Sequence, residues 1–261
     1  MSASRLSPTS LVAAVVALST APALTAQSHT FPADGGDVVI TPFAGAGVQI
    51  EHRGAVIHVD PWSRGDYSTA AAADLVLITD TPNDHLDPML IGRLRTPRTV
   101  VVVPIEPERA RDTGGAERLR AVAPTELMQN GHARDFELGT AGTRVTVEAV
   151  AMYDIIPGDP FHAPGEGNGY VVTVGGLRIY LAGVTECTPE MLAVRDIDVA
   201  FIPMNLPHGR MVPAVAAECV RRLAPRVAFP YHYRELPIDD FVAALRGGPI
   251  EVRLHNWYPP S

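Results

Sequence analysis

The stretch ADLVLITDTPNDHLDP, residues 73–88, decides how the chain is read. Its opening ADLVLIT, residues 73–79, is the near-continuous apolar run of a strand buried on both faces. The polar segment DTPNDHLDP follows at once, and a loop at the end of a buried strand can carry chemistry. Residues 88–94 then read as a short helix, RTVVVVP (98–104) as a second buried strand, and residues 106–123 as a polar helix interrupted by Gly114 and Gly115. This is a βαβ rhythm, which needs a sheet with helices against it.

Upstream, DVVITPF (37–43), GVQIEH (47–52) and AVIHVDP (55–61) are short β-branched runs separated by Gly and Pro, as expected of strands joined by tight turns. Downstream the pattern restarts with TRVTVEAVAMY (143–153), GYVVTVGG (169–176), LRIYLAG (177–183) and DVAFIPMN (198–205). A helix over 212–223, the strand RVAFPYHY (226–233), a helix over 238–245 and IEVRLH (250–255) complete it. Two strand-rich halves, each followed by helices, predict two sheets face to face with helices outside. No short-period repeat indicates a solenoid.

Composition narrows the function classes. The net charge is -8, and all 21 basic residues are Arg, with none clustered into a basic run. Phosphate neutralisation needs clustered cations, so nucleic acid is not an expected partner. The N-terminus has Arg5, an apolar stretch over 11–24 and small residues up to Ala26, which fits a signal peptide over 1–26 cleaved before Gln27. That stretch is too short to span a bilayer. The expectation is a periplasmic or secreted protein, free of the membrane after cleavage, with residues 27–261 as one domain. Cys187 and Cys219 are the only cysteines; an oxidising compartment permits their pairing, and separate buried thiols are the alternative.

The segments GAVIHVDPW and ADLVLITDTPNDHLDP, followed by FHAPGEGNGYVVTVGGLRIYLAGVTECTPEM, DIDVAFIPMNLP and PYHYR, resemble metallo-β-lactamase-fold hydrolases in order and spacing. They are most similar to the branch of metal-dependent hydrolases that includes the ascorbate-phosphate lactonases. The resemblance implies an α/β fold, a four-layer αββα sandwich of the metallo-β-lactamase type. It also implies a Thr-His-x-His-x-Asp-His motif after the buried strand, where imidazoles and a carboxylate converge on zinc. This chain reads Thr79-Asp80-Thr81-Pro82-Asn83-Asp84-His85, so Asp80 and Pro82 stand at the first two histidine positions, while Asp84 and His85 keep the final pair. The family's metal-bridging Gly-Asp-Thr turn is Gly183-Val184-Thr185 here. His232 in PYHYR matches the last family histidine, and His162 in FHAPGEG aligns with the remaining one.

By this mapping Asp84, His85 and His232 form one candidate metal site, Asp84 also being the candidate catalytic carboxylate, with His162 and Asp80 as further candidate ligands. The implied cofactor is one zinc, manganese or iron ion, or none, and a dinuclear centre is not expected. Two readings stay open. One is a mononuclear metal-dependent hydrolase of an ester, lactone or phosphoester, acting on a small molecule. The other is a catalytically inactive relative that binds a ligand or partner, with Asp84 capping a helix and His232 a core histidine. Tyr231 and Tyr233 flank His232, but strand alternation directs both away from it. His29, His52, His58, His132, His208 and His255 have no ligand partner at recognisable spacing. The Gly-rich PGEGNGY (164–170) precedes a strand and lacks a Lys-Ser/Thr ending, so it reads as a turn bordering the cleft, with Glu166 either a substrate contact or a solvated loop residue. A Gly-x-Ser-x-Gly elbow is absent from the sequence, leaving a serine hydrolase without support.

Overall fold

The computed structural model describes residues 27–155, 157–158, 160–204, 211–234 and 236–258. The expected leader over 1–26 and His208 lie outside the described residues. In chain order the elements are β1 (His29–Phe31), β2 (Val38–Pro42), β3 (Val48–His52), β4 (Ala55–Val59), β5 (Ala73–Leu77), α1 (Pro88–Leu94), β6 (Arg95–Val103), α2 (Gly115–Ala121), β7 (Glu126–Leu127) and β8 (Ala133–Leu138). Then come β9 (Thr143–Met152), β10 (Gly167–Val174), β11 (Leu177–Leu181), α3 (Pro189–Ala193), β12 (Val199–Pro203), α4 (Pro213–Leu223), β13 (Val227–Tyr231), α5 (Ile238–Leu245) and β14 (Glu251–Val252).

Strands β1 to β7 form one seven-stranded sheet in sequence order, and β8 to β14 form a second one in the same way. Each half repeats one plan. An antiparallel meander, β1 to β4 or β8 to β11, runs into parallel strands, β4 to β7 or β11 to β14. The β3–β4 hairpin turns on Arg53 (φ 49) and Gly54 (φ 80), and the β10–β11 hairpin on Gly175 (φ 54) and Gly176 (φ 76). Positive φ at both central positions is the turn whose twist matches that of the strands, which is why glycine stands at three of these four positions.

Alternation along the buried strands produces the layers. In β5, Leu75 and Leu77 enter a core shared by the two sheets, whereas Val76 and Ile78 face Leu90, Ile91 and Leu94 of α1 and Leu119 of α2. In β12 and β13, Val199, Phe201 and Phe229 point into the same central core, while Ala200, Ile202 and Ala228 pack under Ala216, Val220 and Phe241 of α4 and α5. Each side chain of this size contributes about 1.5–3 kcal/mol on burial. The result is the expected four-layer αββα sandwich.

Helices begin where proline and a capping oxygen coincide. Asp87 accepts from the N–H groups of Met89 and Leu90 ahead of Pro88, and Thr188 accepts from Met191 ahead of Pro189. The polar helix expected over 106–123 is shorter. Pro107–Arg109 forms a 3-10 turn, and α2 starts only at Gly115 because Gly114 is left-handed at φ 80 and breaks the run. The helix expected from Val212 begins at Pro213, with Val212 in extended conformation as its cap. Cys187 and Cys219 are joined as a disulfide with Cα atoms 5.8 Å apart, tying the loop after β11 to α4. Among the described residues no helix is long and apolar enough to cross a membrane.

Candidate metal centre

The site lies at the carboxyl ends of the parallel strands, where β4, β5, β11 and β13 release their chains into loops. Asp60, just past β4, and His232, just past β13, both adopt left-handed backbone, at φ 44 and φ 50. Such a conformation costs a side-chain-bearing residue on the order of 1 kcal/mol or more and persists where its surroundings impose it. Here it turns each side chain back toward the loop after β5.

Asp84, His85 and His232 converge so that one potential ligand atom from each lies within 4.8 Å of the others. The His85 and His232 rings are 5.2 Å apart at their centroids, and His232 Nε2 is 3.6 Å from Asp84 Oδ2. His85 is fixed from behind. Its Nδ1–H donates to Asp60 Oδ2 at 2.8 Å, leaving Nε2 to face the cluster. Asp60 in turn accepts from Thr79 N at 2.8 Å and Thr79 Oγ1 at 2.5 Å, so the carboxylate is itself clamped. A carboxylate holding the distal nitrogen of an imidazole is the arrangement that orients histidine for a metal.

Electrostatics agree with this geometry. Burial opposes charge on His85, but the Asp60, Asp84 and Asp80 carboxylates outweigh it and push its pKa up to about 9. Burial would also raise Asp84, yet His85 and His232 hold its carboxyl well below the usual range. Burial, aided by His85, lowers His232, which is therefore a neutral imidazole. Among the described residues His232 Nδ1 has no hydrogen-bond partner, and its Nε2 has only Asp84 Oδ2, at a long 3.6 Å. A buried polar atom left unpaired costs about 1–3 kcal/mol, and a cation bound between His232, His85 and Asp84 would relieve that cost for one of the two nitrogens. These donors fit one metal ion with an open position for water.

The other two candidate ligands are not part of this cluster. His162 Nε2 lies 3.3 Å from Asp80 Oδ2 and its Nδ1 lies 3.1 Å from Asp154 Oδ2, so each ring nitrogen faces a carboxylate. Burial is outweighed by Asp154 and Asp80, and His162 is pushed up to about 9. It is an imidazolium clamp in the wall of a cavity of about 310 Å³ lined also by Arg111, Met152 and Phe161. Both ring nitrogens of His162 are thus taken up by carboxylates, and His162 stands apart from the Asp84, His85 and His232 group. Val184, at the bridging position, is 2% exposed beside Met152, and Pro82 supplies no donor.

Several further expectations can be placed. The helix cap after the loop is Asp87, so Asp84 is not consumed by capping. Tyr231 exchanges hydrogen bonds with the backbone of Gly183, and the Tyr233 hydroxyl donates to His255 O; neither faces the cluster. His58 is a core histidine bound to Ala71 O at 2.9 Å. Glu166 accepts from Ala163 N and pairs with Arg111, so it braces its own turn. Asp60 was not singled out as a site residue from sequence, although HVDP ends a buried strand as ADLVLIT does.

Fold and site together define a metallo-β-lactamase-fold protein. The chain belongs to the β-lactamase superfamily domain family, whose profile matches residues 39–232. It is 28% identical over 228 residues to a UPF0173 metal-dependent hydrolase of Aeropyrum pernix, covering 82% of this chain and 87% of that protein. Among solved structures, a Parabacteroides distasonis protein assigned as a metal-dependent hydrolase is 31% identical with a TM-score of 0.77, covering 90% of this chain and all of that one. Igni18, a metallo hydrolase of Ignicoccus hospitalis, shares the fold at 19% identity and a TM-score of 0.65, over 84% of this chain and 94% of its own.

Proposed function

We propose that the protein is an exported metal-dependent hydrolase that works with a single divalent ion held by Asp84, His85 and His232. The observation that carries this is the convergence of one donor atom each from Asp84, His85 and His232 within 4.8 Å, with His85 oriented from behind by Asp60. Mixed imidazole and carboxylate donors suit zinc first, and manganese or iron as well. An ion held there would acidify a bound water toward neutral pH and polarise a carbonyl or phosphoryl oxygen.

The chain's own residues supply the rest. Asp60 locks the His85 ring, Asp84 is ionised and orients the attacking water, and burial of His232 keeps its imidazole neutral. The substrates we propose are small esters, lactones or phosphoesters, whose carbonyl or phosphoryl oxygen an ion held there would polarise. Export is supported by the apolar stretch with its small-residue end and by the Cys187–Cys219 disulfide.

The test is hydrolysis of a panel of p-nitrophenyl esters, aliphatic lactones and phosphoesters by zinc-loaded and chelator-treated protein, with Asp84→Asn alongside. Turnover by the loaded wild type that disappears on chelation and in Asp84→Asn is expected. The burial of Val184 where a bridging carboxylate would stand favours the alternative, a non-catalytic ligand-binding relative. Metal retention with no turnover across the panel would establish that alternative instead.

A further inference from the structure

Two hydrogen-bond donors beside the cluster are only weakly engaged. Arg234, two residues after His232, is 57% exposed, and its Nη2 lies 3.5 Å from Asp84 Oδ2, the oxygen that His232 Nε2 approaches at 3.6 Å. A charge-assisted bond between such groups is normally about 2.7–2.9 Å, so this contact is loose. It is the guanidinium's one protein partner among the described residues. Arg234 also stands at φ 49, a left-handed backbone that costs a side-chain-bearing residue on the order of 1 kcal/mol or more.

Tyr258 comes to the same place from the chain's other end. Its ring meets Tyr233 edge-on at 5.8 Å, and its hydroxyl is buried with no side-chain hydrogen-bond partner among the described residues. The hydroxyl lies beside the Arg234 backbone and within the field of Asp84; burial, partly offset by Arg234 and reinforced by Asp84, pushes it up to about 12. The neighbouring Arg234 backbone can serve the phenol oxygen only as an acceptor, so the O–H proton is left to donate to a group that a ligand would bring.

We propose that Arg234 and the Tyr258 hydroxyl form a binding subsite for an oxyanion of the substrate, a phosphoryl or carboxylate group, at the mouth of the metal centre. This rests on the metal reading of Asp84, His85 and His232. The planar guanidinium presents paired N–H groups that match either anion bidentately, and the phenol adds a third donor. With Asp84 turned to an ion, the Arg234 guanidinium would give up its loose contact and be free to turn to substrate. The subsite therefore selects anionic small molecules over neutral esters.

The experiment is calorimetric titration of zinc-loaded and metal-free protein with inorganic phosphate and, separately, acetate. Wild type is compared with Arg234→Gln, Tyr258→Phe and the distant surface variant Arg93→Gln, with bound zinc counted in each. Arg234→Gln is expected to bind phosphate roughly tenfold or more weakly with zinc content unchanged, and Tyr258→Phe about threefold more weakly. Arg93→Gln should match wild type. A phosphate effect without an acetate effect assigns a phosphoryl group, and equal effects assign any oxyanion; both support the subsite. Equal phosphate and acetate affinities in wild type and Arg234→Gln, or no binding of either anion by wild type, overturn it. Failure of wild type to hold zinc would overturn the metal reading alone, since the metal-free titration still reports on Arg234.

Discussion

Asp60 Oδ2 lies 2.8 Å from His85 Nδ1, across from the ring edge that faces Asp84 and His232. This contact sets the tautomer and angle of His85, so it acts on metal binding without touching the metal. Asp60→Asn keeps the shape and removes the charge. Zinc affinity, measured by chelator competition, should fall about 10- to 100-fold with the fold intact by circular dichroism. Unchanged affinity would show that Asp60 only braces the strand ends.

The same carboxylates that hold a proton on His85 attract a cation, and the two compete. With its pKa pushed up to about 9, His85 is an imidazolium in metal-free protein at neutral pH, and coordination requires the neutral ring. Zinc affinity should therefore rise with pH toward 9 and weaken on acidification. Calorimetry at pH 7 in buffers of different ionisation enthalpy should report about one proton released per zinc bound. Zero release would mean that His85 is not a ligand.

Much of the fold was legible because burial on two faces leaves a plain mark. ADLVLIT and RTVVVVP could only be interior strands, and α1 and α5 fell where Asp87, Pro88 and the apolar spacing put them. The polar, Gly-interrupted 106–123 segment misled because a left-handed Gly114 ends a helix pattern that composition alone allows. Strands β7 and β8 went unread since they are short or largely exposed and owe their form to pairing with β6 and β9. In the site, Asp84, His85 and His232 were readable as donors at strand ends. The engagement of His162 by Asp80 and Asp154, and the support from Asp60, depend on contacts between distant loops that spacing does not reveal.

His58 makes the fold sensitive to acid. Burial lowers its pKa from 6.5 to about 4, only partly offset by its bond to Ala71 O. Between those values the unfolded chain binds a proton that the folded chain refuses, so stability falls as pH drops from 6.5 toward 4. The loss is on the order of 3 kcal/mol. Denaturant unfolding of His58→Gln, whose amide can still reach Ala71 O, should show a flatter dependence over that window. A slope equal to wild type would contradict the assignment.

The Cys187–Cys219 disulfide closes a loop with a sequence separation of 32. A cross-link of that span contributes about 2–4 kcal/mol. The Cys187→Ala/Cys219→Ala variant should lose that amount in denaturant unfolding, and its zinc content should match wild type because neither sulfur belongs to the cluster. Loss of zinc at unchanged stability would assign the bridge to the site instead of the scaffold.

The most direct test of the central claim is a count of metal per chain. Protein produced in zinc-supplemented medium and dialysed free of loose ions is measured by plasma mass spectrometry, wild type beside His232→Ala. The account predicts about one ion per wild-type chain and about a tenth of that or less in His232→Ala, since three protein donors are needed to hold one ion. Two ions per wild-type chain, or none, or the same content in both proteins would contradict a single-ion centre built on Asp84, His85 and His232.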